Sequence, residues 1–264
     1  LRRAGRTTWC LLLAYSILFN TLAAIKSRAH HSYLNGNVLL NQGQVDAAID
    51  YFKTASRLDP QSATFHFALA NALSLSGQVE QSILQYQDTL EIRPNDAEAA
   101  NNLAYTFLRA GQVTNAIRCF QRALQIRPSY QVYYNLAYAY CQNGMPGQAA
   151  GCYREAIKLQ PQLISAKIKL AWVLATCRDA KVRNGNEALA WMENANQITK
   201  ESDPEILRTL AAADAELGKF PEAITNAQKA LGLALTQSKQ TLADELNTEI
   251  ALYKNHEPCR VTTD

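Results

Sequence analysis

The sequence predicts an all-α protein built from stacked helix–turn–helix units, and two spacings and one periodicity support this fold class. A glycine and a proline each recur with a spacing of 34 residues: these are Gly43, Gly77 and Gly111, and Pro60, Pro94 and Pro128. A fixed period of this length is typical of a stacked-repeat architecture. Between these markers apolar residues recur at helical spacing, as in Ala116, Ile117, Phe120 and Ala123.

Residues 97–128 illustrate one unit. Leu103 and Phe107 lie four positions apart, which places them on one face of a first helix. Gly111 ends that helix because glycine readily adopts the positive φ that a helix C-terminus often needs. Pro128 ends the second helix because it cannot continue the backbone hydrogen bonding. Each unit is therefore two antiparallel helices joined by a short turn.

Small and large residues alternate at fixed positions of these units, in a pattern that resembles the tetratricopeptide repeat family. The small positions are Gly36, Ala48, Ala55, Ala70, Ser82, Thr89, Ala104, Ala116, Ala123, Ala137, Ala149 and Ala156. The large ones are Leu39, Phe52, Leu73, Tyr86, Phe107, Phe120, Tyr140 and Tyr153. Four units in register cover residues 29–161. The resemblance implies a right-handed superhelical solenoid that binds other proteins.

The remaining sequence completes this organisation. A fifth unit has an expanded turn over residues 177–185, and a sixth unit follows. Residues 237–255 place Leu242, Leu246 and Ile250 on one side of a last helix, which suits a polar cap on the array. The predicted divisions are a signal anchor or transmembrane segment at 1–28, six repeats at 29–62, 63–96, 97–129, 130–163, 164–203 and 204–235, a capping helix at 236–258 and a tail at 259–264.

One acidic residue departs from the repeat pattern. Asp214 occupies a position that other units fill with a large apolar residue, and the family usually has tyrosine there. Because an unpaired carboxylate is costly to bury, we expect Asp214 to take up a proton, find a hydrogen-bond donor or lie where packing is loose.

The charge distribution separates the N-terminus from the rest of the chain. Residues 1–31 hold five of the 26 basic residues and no acid, which leaves 21 basic against 23 acidic residues elsewhere. Such a body has no electrostatic footprint for nucleic acid. Residues 7–25 are uncharged and mainly apolar, which favours an uncleaved signal anchor in a single-pass membrane protein with an extracytoplasmic body. The alternatives are a cleaved signal, giving a secreted or periplasmic protein, and a buried N-terminal helix.

Sequence motifs of enzymes are absent. There is no phosphate-binding loop, no Cys-x-x-Cys pair and no His-Glu-x-x-His. The four histidines are too scattered to form a ligand set. We therefore expect no catalytic residues, no metal and no cofactor.

The candidate binding surface is the concave groove lined by the first helices. Its residues are mainly aromatic and asparagine, which supply rigid contact area and paired donors and acceptors for a peptide backbone. They are Tyr33, Asn37, Phe67, Asn71, Asn101, Asn102, Tyr105, Arg109, Tyr134, Asn135, Tyr138 and Trp172.

Together these features predict a non-enzymatic scaffold that is tethered to a membrane and binds a partner peptide or helix in this groove. An alternative comes from residues 162–260, including Leu252, Tyr253 and Pro258, which resemble the ending of bacterial tetratricopeptide proteins. Some of those arrays are attached to membrane glycosyltransferases. In that case the chain would be the extramembrane part of a larger bacterial transferase, acting in acceptor or partner recognition.

Overall fold

The computed structural model describes residues 2–199 and 202–260, and their side chains apart from those of residues 2–11 and 14. Within these ranges the chain forms thirteen α-helices and no strand, which confirms the predicted all-α class. The chain divides into two compact units, Leu1–Ile126 and Arg127–Asp264, here called the N-terminal and C-terminal units.

The N-terminal unit consists of three helix pairs, in which each first helix packs against the second helix that follows it. Its helices are α1 (Arg2–Asn41), α2 (Val45–Leu58), α3 (Ala63–Leu75), α4 (Val79–Ile92), α5 (Ala97–Arg109) and α6 (Val113–Ile126). Contacts of α2 with α3 and of α4 with α5 join consecutive pairs. Every element thus contacts its near neighbours in sequence, as in a solenoid.

The C-terminal unit repeats this arrangement and ends in an additional helix that packs against α12. Its helices are α7 (Tyr130–Gln142), α8 (Pro146–Leu159), α9 (Ile164–Thr176), α10 (Gly185–Thr199), α11 (Pro204–Glu216), α12 (Phe220–Thr236) and α13 (Gln240–Lys254). Leu242, Leu246, Ile250 and Tyr253 of α13 are buried, as predicted for the capping helix.

The predicted small and large positions form the core. All twelve small residues are buried, and so are all the large ones except Leu39, which is half-buried. Phe52 and Phe120 are completely buried, and each lies on a second helix between two fully buried alanines. Burying one such phenylalanine contributes about 1.5–3 kcal/mol, so the repeated pattern accounts for much of the stability of each pair.

The turn between paired helices depends on glycine. Gly111 has φ of +71°, and its N–H donates to the carbonyl of Leu108 at 3.0 Å. The fifth unit lacks this turn. Cys177, the residue after α9, has φ of −57°, and the N–H of Asn184 donates to the carbonyl of Leu174 at 2.9 Å. The predicted expansion at 177–185 is therefore present over residues 177–184, because Gly185 already begins α10.

Two arginines hold the expanded turn through Glu216 at the end of α11. Arg183 Nε donates to Glu216 Oε1 at 2.8 Å, and Arg183 Nη1 donates to the carbonyl of Cys177 at 2.9 Å. From the segment after α13, Arg260 donates to Glu216 Oε2 at 2.5 Å and to the carbonyl of Ala175 at 3.2 Å. Glu216 therefore ties the turn to a segment much later in the chain.

Asp214 faces inward, as its place in the repeat predicted. It is only 5% exposed, and Asn226 Nδ2 donates to its Oδ2 at 2.9 Å. Burial raises the pKa of Asp214, and the bond from Asn226 opposes that rise. The carboxyl group thus has the hydrogen-bond donor that its position requires.

Helix α1 runs without interruption from the N-terminal segment into the first repeat, so the predicted division at residue 28 lies inside one helix. Its apolar side chains from position 12 to 25 are exposed: Leu12, Leu13, Tyr15, Ile17, Leu18, Phe19, Leu22 and Ile25. Among the described residues, however, no helix combines the length and the apolar character needed to cross a membrane. The anchor predicted over residues 7–25 gains no support from this result, and residues 7–11 and 14 of that segment lie outside the described side chains.

Candidate functional site

The twelve predicted binding residues all lie on first helices, and the two units divide them. The N-terminal unit holds Tyr33, Asn37, Phe67, Asn71, Asn101, Asn102, Tyr105 and Arg109, and the C-terminal unit holds Tyr134, Asn135, Tyr138 and Trp172. Nine of them are half-buried, whereas Tyr105, Tyr138 and Arg109 are exposed. None is fully buried, so each keeps some surface that a partner can contact.

The asparagines of α3 and α5 form a polar network. Asn71 Oδ1 accepts a hydrogen bond from Tyr86 Oη at 2.5 Å and lies 3.4 Å from the donor Asn102 Nδ2. Asn101 Nδ2 donates in turn to Asn102 Oδ1 at 3.1 Å. A carbonyl oxygen has two lone pairs, and both of those on Asn71 are occupied. The network holds the consecutive first helices α3 and α5 in register, and Asn102 also bonds to the side chain of Tyr86.

The aromatic residues of the N-terminal unit differ in exposure. The ring of Tyr33 packs against Phe52 and Phe65, with centroid distances of 6.0 and 5.3 Å. Phe67 meets Tyr86 edge-on at 5.9 Å. Tyr105, in contrast, is 52% exposed. Tyr33 and Phe67 therefore belong partly to the core, and Tyr105 is the aromatic side chain that projects from this face.

Arg109 has a structural partner. Its Nη1 donates to the backbone carbonyl of Ser74 at 2.7 Å and lies 3.2 Å from Ser74 Oγ. This contact links the ends of α5 and α3. The guanidinium has further donors, but its position is set by α3.

In the C-terminal unit, Tyr138 occupies the position in its repeat that Tyr105 occupies in the preceding one. It is 47% exposed, and Gln142 Nε2 donates to its hydroxyl at 2.8 Å. Tyr134 packs edge-on against Tyr153 at 5.7 Å, and burial raises the pKa of Tyr134. Tyr134 is thus the inner aromatic residue here, and Tyr138 is the projecting one.

Trp172 follows in the same register on α9, and Arg208 of α11 lies over its ring. The guanidinium carbon is 4.3 Å from the ring centroid, a cation–π contact. Arg208 Nη1 is 2.6 Å from Glu245 Oε2, and Arg208 Nε donates to Glu249 Oε1 at 2.9 Å. The capping helix therefore fixes the arginine that covers Trp172.

Sequence reasoning missed Arg208 and Glu249. Arg208 stands at the repeat position of Phe67 and Tyr134, so extending the predicted stripe into the sixth unit would have found it. Glu249 falls on the side of α13 that was expected to be polar and solvated, yet it is 4% exposed. Its carboxylate is bound by Arg208 of α11, a contact that the pattern within α13 does not reveal.

Two protein-family models match the sequence of these repeats. A tetratricopeptide repeat model matches residues 33–97, and a second tetratricopeptide repeat model matches residues 95–162. The chain is a tetratricopeptide repeat protein. The sequence resemblance over residues 29–161 is thereby confirmed, and a search of the curated proteins found no match.

Solved tetratricopeptide repeat structures share the fold. YrrB, described as having an unusual peptide-binding site, is 18% identical with a TM-score of 0.63, over 75% of this chain and 97% of YrrB. PilF of Pseudomonas aeruginosa is 19% identical with a TM-score of 0.66, over 86% of this chain and 99% of PilF. MamA of Desulfovibrio magneticus RS-1 is 18% identical with a TM-score of 0.60, over 67% of this chain and 97% of that one. None of these comparisons links the chain to a membrane glycosyltransferase.

Proposed function

We propose that this tetratricopeptide repeat protein is a non-enzymatic scaffold whose first helices line a concave groove that binds a partner peptide or helix. The observation that carries the proposal is the repeated projection of Tyr105 and Tyr138, each about half exposed at the same position of its repeat. Tyrosine supplies a large contact area and loses little conformational entropy on binding.

The similarity to YrrB also supports this proposal. That protein is described as having a peptide-binding site, and it shares the fold over three quarters of the present chain. At 18% identity the likeness concerns the fold, so the residues that bind must be tested in this chain.

Displayed peptides with fifteen random positions provide the test. An extended peptide advances about 3.3–3.6 Å per residue, and helices pack about 8–10 Å apart, so each repeat addresses about three residues. We expect the full chain to select peptides and the double variant Tyr105→Ala, Tyr138→Ala to bind them at least tenfold more weakly, because the central aromatic contacts are lost. Binding is measured by fluorescence anisotropy, and circular dichroism checks that helicity is retained.

Tyr51→Ala is the matched control, because Tyr51 is also exposed, at 42%, but lies on the second helix α2. Its affinity should equal that of the wild type. If Tyr51→Ala weakens binding and the double variant does not, the partner uses the second helices and the groove assignment is wrong.

We further propose that residues 7–25 hold the chain at a membrane, with the repeats on the extracytoplasmic side. The support is the run of exposed apolar side chains in α1, since eight large apolar residues between positions 12 and 25 are 42–69% exposed. Exposed apolar surface of this extent is typical of a site that binds a membrane or another protein.

Flotation with lipid vesicles tests the membrane proposal. The full chain should float with the vesicles, and the variant Leu18→Glu, Leu22→Glu should remain at the bottom, because charges oppose burial in lipid. Leu34→Glu is the control, since Leu34 is 45% exposed on the same helix but beyond the apolar run. A full chain that does not float, or a double variant that floats equally well, contradicts the proposal.

A further inference from the structure

A cavity of about 550 Å³ opens on the first-helix face of the C-terminal unit, between α7, α8, α9 and the turn that follows α9. Its lining includes Cys141, Tyr153, Val173 and Cys177, all of them half-buried or buried. Cavities of roughly 300–1,000 Å³ accommodate small ligands, so the space is ample for a bulky side chain. Burial raises the pKa of the Cys141 thiol, so this lining residue behaves as an uncharged group.

The rim of the cavity carries two cationic side chains. Lys169 and Arg178 are both exposed there, and neither forms an ion pair with any residue in the described ranges. Asp179 beside them offsets one of the two charges. The neighbouring Arg208, in contrast, is already paired with Glu245 and Glu249. Lys169 also lines the smaller neighbouring cavity, together with Glu205. An anionic group near the mouth would therefore pair with Lys169 or Arg178 in place of Asp179 and Glu205.

Trp172 forms one wall of the cavity, and Arg208 packs over its ring. It lines both this cavity and a smaller one of about 280 Å³, and Arg208 lines only the smaller one. The guanidinium therefore covers the side of the indole that faces away from the larger cavity. Because α13 fixes Arg208 through two carboxylates, the wall is rigid before any ligand arrives, which lowers the entropic cost of binding. Arg208 is thus a positioning residue for Trp172.

From these observations we propose that the cavity is a specificity pocket for a bulky apolar side chain that stands next to a carboxylate. The apolar side chain lies against Trp172 and Val173, and the carboxylate pairs with Lys169 or Arg178. The proposal rests on the proposed function and names the part of the partner peptide that the C-terminal unit selects. An aspartate or glutamate side chain and the terminal carboxylate of a chain offer the same chemistry.

Labelled fifteen-residue peptides in a Gly-Ser background, with two variable central residues, test the pocket on the full chain. We expect the Leu-Glu peptide to bind at least tenfold more tightly than the Ser-Glu peptide. It should also bind at least about threefold more tightly than the Leu-Lys peptide. Peptides that end in leucine, with a free or an amidated C-terminus, show whether the terminal carboxylate serves as well as glutamate. Fluorescence anisotropy gives each affinity.

Val173→Trp should abolish the preference for leucine over serine by filling the cavity, and Val173→Ala should shift the preference from leucine towards tryptophan by enlarging it. Lys169→Glu should reverse the preference for Leu-Glu over Leu-Lys. Tyr105→Ala, in the N-terminal unit, should weaken the binding of all the peptides by the same factor. It should leave the preferences for leucine over serine and for glutamate over lysine unchanged. If Val173→Trp does not fold, Val173→Ala decides the result.

Unchanged preferences in the Val173 and Lys169 variants overturn the pocket, while the proposed function stands if Tyr105→Ala still weakens binding. The pocket is also overturned if displayed random peptides bind and no peptide of this series does. If neither the displayed library nor the series yields a peptide that binds, both the pocket and the proposed function fail.

Discussion

Replacing Gly36 with leucine is expected to lower the free energy of unfolding by about 3 kcal/mol or more. Gly36 lies on α1 against the ring of Phe52, and a Cβ atom at this position would lie 2.6 Å from Phe52 Cε1 and 2.8 Å from Cδ1. Phe52 is completely buried, so its ring has no space to withdraw. Overpacking a well-packed core costs typically about 1–3 kcal/mol, and leucine adds three further carbons beyond the clashing one.

Urea unfolding followed by circular dichroism measures this effect. Gly36→Ala should fall between the wild type and the leucine variant, because alanine introduces the same clash but favours the helix by about 1 kcal/mol. Gly151→Ala is the matched control: Gly151 lies within α8, and an added Cβ atom there meets nothing within 4 Å. It should stabilise the chain by about 0.5–1 kcal/mol. An equal midpoint for Gly36→Leu and the wild type would show that α1 and α2 can separate without cost.

Arg208→Met should destabilise the C-terminal unit by about 3–5 kcal/mol at neutral pH, because it leaves the buried Glu249 without its partner. Arg208 donates to Glu249 through Nε at 2.9 Å, and Glu249 is only 4% exposed. The reciprocal change Glu249→Gln should cost less, since Arg208 keeps the exposed Glu245 at 2.6 Å. The asymmetry follows from which of the two charges can reach water.

The penalty of Arg208→Met should also depend on pH. Burial raises the pKa of Glu249 above its ordinary value of 4.5, and Arg208 opposes that rise. Removing Arg208 therefore raises this pKa further. A carboxyl group whose pKa is higher in the folded than in the unfolded chain lowers the free energy of unfolding. This cost is complete at a pH above the folded-state pKa, and it disappears as the pH falls to the unfolded-state pKa. The penalty should thus be complete at pH 7 and shrink towards pH 4.5.

The double variant Arg208→Met, Glu249→Leu completes the thermodynamic cycle. Replacing a whole buried ion pair with apolar residues is often neutral or stabilising, so the double variant should recover most of the stability that Arg208→Met loses. Its stability should also lack the pH dependence of the single variant. A double variant as unstable as Arg208→Met would mean that the arginine acts mainly through Trp172.

Repeat spacing made the fold predictable because each helix packs against helices that are near to it in the sequence. Each of the first four units has two small residues with a large aromatic residue between them, as in Ala116, Phe120 and Ala123. Helix pairs with such complementary surfaces pack closely in one register. The expanded turn was visible as a break in this period. Its anchoring was not, because the bond from Arg183 to Glu216 of the next unit joins two side chains that the repeat pattern does not specify.

The positions of the candidate site residues were predictable from the sequence, but the hydrogen-bond partners of their side chains were not. The register identified Tyr105 and Tyr138, and it equally identified Asn71, whose carbonyl is taken by Tyr86 from the second helix of its own repeat. Likewise, Arg208 and Glu249 are separated by 41 residues and meet only because of how α13 packs. Hydrogen-bond partners across helices depend on the rotation of each helix, which a single sequence does not specify.

The contact of Arg260 with the turn of the fifth repeat has a consequence for biosynthesis. Helix pairs that contact only their neighbours can fold in the order in which the ribosome delivers them. The carbonyl of Ala175 receives its bond from Arg260, which is translated 85 residues later. The fifth turn therefore leaves the ribosome incomplete, and its final ionic bonds form only after the sixth repeat and α13 have been made. Until then the carbonyl of Ala175 and Oε2 of Glu216 lack the bonds that Arg260 donates to them.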